Sequence, residues 1–335
     1  MVDVSSWHIY TGEPGARGDI GRLPDPPLWR TFTGGPVLEA PQAREQDSHR
    51  ATSYLPDPEA VEQVNAALYL RRPLLVTGRP GTGKSSLAYA VAHELGLGPV
   101  LYWPITSRVS LRDGLYSYDP LARLYRASRQ ERDGVADGDD EDDIGRYIRL
   151  GPLGTALLPY ARPRVLLIDE IDKGDIDLPN DLLAVFEKGE YEISELSRSG
   201  IEESTVTTAD GTIRTVVTGG LVRCRAFPLV VMTSNGEREF PPAFLRRCVK
   251  LEIPEPDADK LQEIIRAHLA GLADQSGDLI EYFLNRRSQG QLATDQLLHA
   301  VYLTHHAARD GVDDRMALAE RIMPFLGTEI PDDEG

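Results

Sequence analysis

The stretch Gly78-Arg79-Pro80-Gly81-Thr82-Gly83-Lys84-Ser85 satisfies each fixed position of the phosphate-binding pattern G-x-x-x-x-G-K-[ST]. Its surroundings suit the pattern. Residues 73–77 (PLLVT) form a short apolar run that reads as a buried strand, and Leu87, Val91 and Leu95 recur behind it at helical spacing. Strand, glycine loop and helix are the setting the pattern needs, because backbone N–H groups at a helix N-terminus then face phosphate oxygens. Gly81 and Gly83 permit backbone conformations closed to other residues. Lys84 is expected to reach the β- and γ-phosphates and Ser85 to ligate a magnesium ion. Gly78, Pro80, Thr82 and Ser86 complete the loop, and the implied ligand is a nucleoside triphosphate with Mg2+.

A second apolar run, residues 165–168 (VLLI), ends in Asp169-Glu170-Ile171-Asp172. Carboxylates at the C-terminal end of a buried parallel strand face the crevice where open α/β sheets bind ligands. Asp169 is expected to hold the magnesium ion through water. Glu170 is expected to polarise the attacking water, a role that needs a carboxylate within hydrogen-bond reach. Residues 227–233 (FPLVVMT) read as another buried strand, ending at Ser234-Asn235-Gly236. Asn235 is either a turn residue or the group that orients the attacking water. Pro241 and Pro242 then start a short helix carrying Arg246 and Arg247. An exposed arginine pair serves salt bridges or solvent, or it reaches a neighbouring subunit's γ-phosphate, where it would be worth on the order of 10³-fold in rate.

The rest of the chain divides around this core. Residues 1–50 read as an extended arm, rich in glycine and proline and without periodicity. The arm carries Trp7, Tyr10, Trp29 and Phe32, which implies anchoring on the chain's own core or on a partner. Residues 57–70 predict a helix with Asp57 as N-cap, and residues 99–105 (PVLYWPI) predict a second buried strand. The acidic run at 133–143 lacks the spaced ligands and closing glutamate of a calcium loop and reads as a solvated loop. Thr205–Thr208 and Thr212–Val217 flank an Asp-Gly turn and predict a hairpin. From residue 254 four helical segments follow, a small helical domain behind an α/β core. The expected divisions are 1–50 (arm), 51–253 (nucleotide-binding core) and 254–335 (helical lid and acidic tail).

The net charge of −17 argues against generic binding to a phosphate backbone. No apolar run approaches the roughly 20 residues needed to cross a bilayer. The N-terminus lacks the basic start and apolar core of a signal peptide, so the expected location is the cytoplasm. Cys224 and Cys248 have no metal-ligand spacing and read as buried thiols.

The ordered set GRPGTGKS, VLLIDEID, VVMTSN and PPAFLRRC, followed by a helical lid, resembles the AAA+ ATPases, and most of all their MoxR-type branch. The phrases IDEIDKGDIDLPNDLLAVFEKGEYEI and TSNGEREFPPAFLRRC carry the likeness furthest. The resemblance covers residues 57–326. It implies a P-loop NTPase parallel sheet sandwiched by helices, followed by a small all-α lid. It also implies ATP hydrolysis in a ring, commonly of six subunits, with ATP bound between neighbours. By position Asn235 takes the first sensor role, and Arg247, or adjacent Arg246, the arginine finger. Tyr116 and Tyr118 fall near an insertion that faces the central pore in the family, which offers substrate contact beside plain core packing. The lid departs from the pattern, since no arginine stands near Leu292-Ala293-Thr294; Arg286 and Arg287 are the available substitutes. MoxR-type proteins work with von Willebrand factor A proteins as remodellers, some in bacterial defence sets. The implied function is therefore ATP-driven remodelling or activation of a partner protein. A nucleotide-gated switch or scaffold in a defence complex is the alternative, and a nucleic-acid motor the third.

Overall fold

Five short strands carry the ligand-facing loops, and their order explains which residues meet. The computed structural model describes residues 7–13, 15–43, 45–133, 144–211, 214–309 and 315–325. After two 3₁₀ turns, Ile20–Arg22 and Leu28–Arg30, come helices α1 (Glu45–Thr52) and α2 (Pro58–Leu70). Strand β1 (Leu74–Thr77) leads through the glycine loop into α3 (Lys84–Glu94), then β2 (Leu101–Pro104). An insertion follows: α4 (Leu111–Leu115), β3 (Tyr116–Tyr118), α5 (Pro120–Asp133), β4 (Ile148–Leu150) and α6 (Pro152–Ala156). The core resumes with β5 (Val165–Asp169) and α7 (Leu178–Lys188). Next come β6 (Glu190–Glu192), α8 (Ser194–Ser199), β7 (Glu203–Thr207), β8 (Arg214–Thr218) and β9 (Leu221–Arg223). β10 (Leu229–Ser234), α9 (Pro242–Leu245) and β11 (Val249–Glu252) close the sheet, and α10 (Ala258–His268), α11 (Gly277–Arg287), α12 (Thr294–Arg309) and α13 (Arg315–Ile322) form the C-terminal region.

The main sheet is parallel, in the order β11-β1-β10-β5-β2. Leu75, Leu166, Ile168, Val230 and Met232 enter one hydrophobic cluster. Their neighbours Leu74, Val76, Val165, Leu167 and Val231 enter another. Successive side chains alternate between the two faces, so helices on both sides are needed to cover runs that are apolar at every position. β2 corrects one expectation. It is the edge strand, with Leu101 and Trp103 buried but Tyr102 46% exposed, so only one of its faces is core. An edge also tolerates Pro104, which has no N–H to give a neighbour. Asp57 precedes α2 as expected, yet its side chain caps nothing and instead pairs with Lys260 at 2.9 Å.

The predicted hairpin is β7–β8, antiparallel, and joins β3 and β4 in a second sheet; Thr212 lies outside the described residues. Its turn is tied to the main sheet by Arg164, fully buried, whose Nη1 lies 3.2 Å from Asp210 Oδ2. Arg164 Nη2 donates to the Pro99 carbonyl at 3.0 Å. Tyr116 is buried and donates its hydroxyl to Glu195 at 2.7 Å, and Tyr118 packs partly buried on the same cluster. Core packing is therefore the role of Tyr116, not substrate contact.

Helices α10–α13 have a hydrophobic cluster of their own, including Leu261, Ile265, Leu279, Phe283, Leu297 and Met323. The acidic stretch 134–143 and residues 326–335 lie outside the described residues. No helix among the described residues is long and apolar enough to cross a membrane.

Residues 7–43 run over the core and are fastened to it along their length. Asn65 Oδ1 accepts the N–H groups of Ile9 (2.7 Å) and Tyr10 (3.1 Å), while its Nδ2 donates to the Tyr10 carbonyl at 2.8 Å. The Glu94 carboxylate accepts the N–H groups of Thr11 and Gly12 at 2.6 and 3.0 Å. Farther along, Gly34 donates to the Cys224 carbonyl at 3.0 Å, and Leu38 forms a parallel bridge with Tyr160. Ile9, Tyr10 and Ile20 belong to the same cluster as the α2 and α3 residues Val64 and Leu87.

Candidate nucleotide site

The glycine loop, the ends of β5 and β10, residues 253–257 and helices α10 and α12 enclose a cleft of about 780 Å3. Pro80, Gly81, Thr82, Gly83, Lys84, Ser85 and Ser86 all line it, as do Asp169, Glu170 and Asn235. Gly78 lies at the mouth of the loop, where its carbonyl accepts Lys84 Nζ at 2.8 Å. Gly81 (φ 76°) and Gly83 (φ 87°) adopt left-handed conformations, which cost L side chains dearly. A Cβ on Gly81 would also stand 2.6 Å from the Ala293 Cβ just before α12. The phosphate loop and the lid are thus in direct contact.

Lys84 is 7% exposed and its ammonium also donates to the Arg79 carbonyl at 2.8 Å. Burial pulls it below the ordinary lysine value, against the opposing pull of Asp172, Asp169 and Glu170. Ser85 Oγ donates to Asp169 Oδ1 at 2.6 Å, and the Thr233 hydroxyl donates to the same oxygen at 2.7 Å. Glu170 Oε1 accepts Asn235 Nδ2 at 3.4 Å and Lys173 Nζ at 2.8 Å. Asp172 Oδ2 accepts the N–H groups of Asn235 (2.9 Å) and Glu237 (3.1 Å), which fixes the loop after β10. The structure therefore brings Ser85, Asp169, Glu170 and Asn235 together from three separate strand ends.

Three contributors were not singled out in the sequence. Thr233 is the buried hydroxyl at the end of an apolar strand, and a lone threonine there is the signal that was available. Tyr102 donates to Asp169 Oδ2 at 3.2 Å, and burial first, then Asp169, raises its phenol above the ordinary value. Tyr54, whose ring lies 3.2 Å from where a Gly83 Cβ would be, joins Leu55, Ile264 and Leu298 in lining the apolar part of the cleft. That part suits a planar base, and the loop end suits its phosphates.

The arginines stand elsewhere. Arg246 is exposed and Arg247 pairs with Glu187 while donating Nη1 to the Ala243 carbonyl at 3.1 Å; neither lines the cleft. Arg286 packs over Phe325 at 4.6 Å, and Arg287 donates to the Pro256 carbonyl at 2.9 Å. Neither lines the cleft in this structure, although Arg287 contacts Pro256 and Glu255, which do. The lid presents Lys260, Glu263, Thr294 and Asp295 instead.

A family model described as the AAA domain (dynein-related subfamily) matches residues 73–248, over half of the 335-residue chain. The chain belongs to this AAA family. AAA domains bind nucleotide, and the cleft is where the family's strand–loop–helix unit lies. No curated protein matches the chain. Among solved structures, NtrX from Brucella abortus in complex with ADP is 14% identical over 81% of this chain and 54% of its own, with a TM-score of 0.40. A structure concerned with katanin self-assembly is 16% identical over 72% of this chain and 60% of its own, with a TM-score of 0.31. The chain thus spans less than two thirds of either relative.

Proposed function

We propose that the chain is a MoxR-type AAA+ ATPase that hydrolyses ATP between subunits of a six-membered ring and uses the cycle to remodel or activate a partner protein. The observation that carries this reading is the split of the chemistry. Ser85, Asp169, Glu170 and Asn235 converge on the cleft, while Arg247 lies outside its own cleft, beside Glu187. An arginine so placed can meet a nucleotide only on another copy of the chain.

A magnesium ion fits the donor set, since Ser85 Oγ and Asp169 Oδ1 are hard oxygens 2.6 Å apart of the kind Mg2+ takes alongside phosphate oxygens and water. When bound, the ion supplies neutralisation of phosphate charge. Glu170 accepts the proton of the attacking water, and Asn235, hydrogen-bonded to Glu170, holds that water in line. Lys84 stabilises the terminal phosphates, and the neighbour's Arg247 the charge that grows in the transition state. The partner class, a von Willebrand factor A protein, rests on the MoxR-type phrases at residues 168–193 and 233–248.

One observation favours the second reading, a nucleotide-gated switch or scaffold in a defence complex. The Glu170 carboxylate is engaged by Lys173 at 2.8 Å, a contact that suits a switch whose base is released only when triggered.

The test is steady-state ATP hydrolysis per subunit across a wide protein concentration range, with Arg247→Ala alongside. The rate is expected to rise steeply with concentration and to fall by about 10³-fold in the variant. A flat rate indifferent to Arg247 would overturn the intersubunit site.

A further inference from the structure

The turn Leu28–Arg30 is the most exposed apolar feature of the described chain, with Leu28 91% and Trp29 79% exposed. It is not a loose tip. Arg30 donates Nε and Nη2 to the Arg71 carbonyl at 3.1 and 2.6 Å and Nη1 to the Phe186 carbonyl at 2.8 Å. Its guanidinium lies over the Phe227 ring at 4.3 Å. On the other side of the turn, Arg71 Nη2 donates to the Pro24 carbonyl at 2.6 Å. Two arginine clamps therefore hold an indole outward on a rigid base, and a large aromatic kept in water by built contacts marks an interface.

Trp29 shares a hollow of about 370 Å3 with Arg72, Leu183, Glu187 and Arg247. The same surface thus carries the exposed indole and the arginine assigned to a neighbour's nucleotide. Its charge is predominantly positive: Arg30, Arg72 and Arg247 against Glu187. The rim of the nucleotide cleft is the reverse, with Asp57, Glu255, Asp257, Asp259, Glu263 and Asp295 against Arg50 and Lys260. Bound nucleotide adds further negative charge to that rim. Opposite potentials on two faces of one chain favour docking of copy on copy, and they fix its register. A head-to-tail contact of this kind closes into a ring where its rotation closes, and runs into a filament where it does not.

From this geometry we propose that Leu28 and Trp29 dock on the edge of the nucleotide cleft of a second copy of this chain, and so seat Arg247 against that copy's nucleotide. The arm is then an intersubunit element, and assembly is coupled to nucleotide through charge. The proposal rests on the intersubunit reading of Arg247 and adds to it the element that aligns the arginine. A different macromolecule as the occupant of the Leu28–Trp29 surface would leave self-assembly independent of Trp29.

Sedimentation velocity of the full chain with Mg2+ and ATPγS tests this, using wild type, Trp29→Ala and Trp29→Phe. Trp29→Ala is expected to raise the concentration for half-assembly at least tenfold, with Trp29→Phe restoring most of it, and nucleotide binding by the separated subunit unchanged. Indole fluorescence gives a second readout. Trp103 is buried and Trp7 is half-buried against Tyr69, so a blue shift on assembly that is absent from an assembled Trp29→Phe reports burial of Trp29 itself. Raising salt from 50 to 500 mM should weaken assembly of the wild type. Wild-type assembly and Arg247-sensitive hydrolysis with an unchanged Trp29→Ala midpoint would overturn this proposal and leave the ring ATPase standing. A wild type that stays monomeric with flat hydrolysis would overturn both.

Discussion

Glu170 adopts a left-handed backbone conformation, φ 58° and ψ 49°, which a residue other than glycine takes at a cost of about 1 kcal/mol. The Thr233 hydroxyl offsets this by accepting the Glu170 N–H at 2.9 Å, while its own proton goes to Asp169. One hydroxyl thus fixes both the Asp169 carboxylate and the Glu170 backbone, and it does so from a different strand. Removing the proton acceptor while keeping shape and hydrogen bonding isolates its role. Glu170→Gln should lower steady-state hydrolysis by at least about 10²-fold with binding of a fluorescent nucleotide analogue retained; unchanged turnover would remove Glu170 from catalysis. At this scale the loop residues and the Asp-Glu pair were legible because their spacing is local. Thr233 and Tyr102 were not, because what brings them to Asp169 is strand order, which no stretch of sequence displays. Lys260 was hidden for the same reason, being read only as part of a helix, whereas the fold sets it against Asp57 across the cleft.

At the scale of the element, the β7–β8 hairpin shows how a correctly read turn can conceal a second role. The Asp-Gly signal marks the bend, but Asp210 also enters the interior to meet Arg164, which is fully buried. The pair spans 46 positions of sequence, so local patterning cannot announce it. Breaking a buried pair leaves a charge without its counter-ion, at a cost of about 3–5 kcal/mol. Asp210→Ala should therefore reduce unfolding free energy by that order in a urea titration. The joint replacement Arg164→Met with Asp210→Leu should recover most of the loss, since neither charge is then stranded. A single variant as stable as wild type would show that the hairpin does not depend on the pair. β2 carries a similar lesson, for PVLYWPI has the composition of a central strand, and only its place at the end of the sheet exposes Tyr102.

For the whole molecule, the apolar periodicity made the core and the helical region visible, and the order of strand-end motifs made their joint use visible. How residues 7–43 are used was open, because an aperiodic stretch with aromatics suits either the chain's own surface or a partner's. The structure divides the aromatics: Tyr10 is buried, Phe32 stacks on Phe227 at 5.6 Å, and Trp29 faces outward. A chain lacking residues 1–43 would uncover the surface beneath Ile9, Tyr10 and Ile20. At roughly 1.5–3 kcal/mol for each large apolar side chain, the loss is on the order of 5 kcal/mol. Thermal denaturation should show a clearly lower midpoint, and an unchanged midpoint would mean that the segment lies on the core without supporting it. The fastening of this segment also has a consequence during synthesis. Its docking groups, Asn65, Glu94, Tyr160 and Cys224, leave the ribosome only after it does. The segment can seat its beginning once α2 and α3 have formed, but Gly34 must wait for Cys224. Through most of translation the phenyl ring at 32, which stacks on Phe227 in the finished fold, is uncovered on a nascent chain, so the feature that steadies the finished protein is a period of exposure to chaperones and to aggregation for the unfinished one.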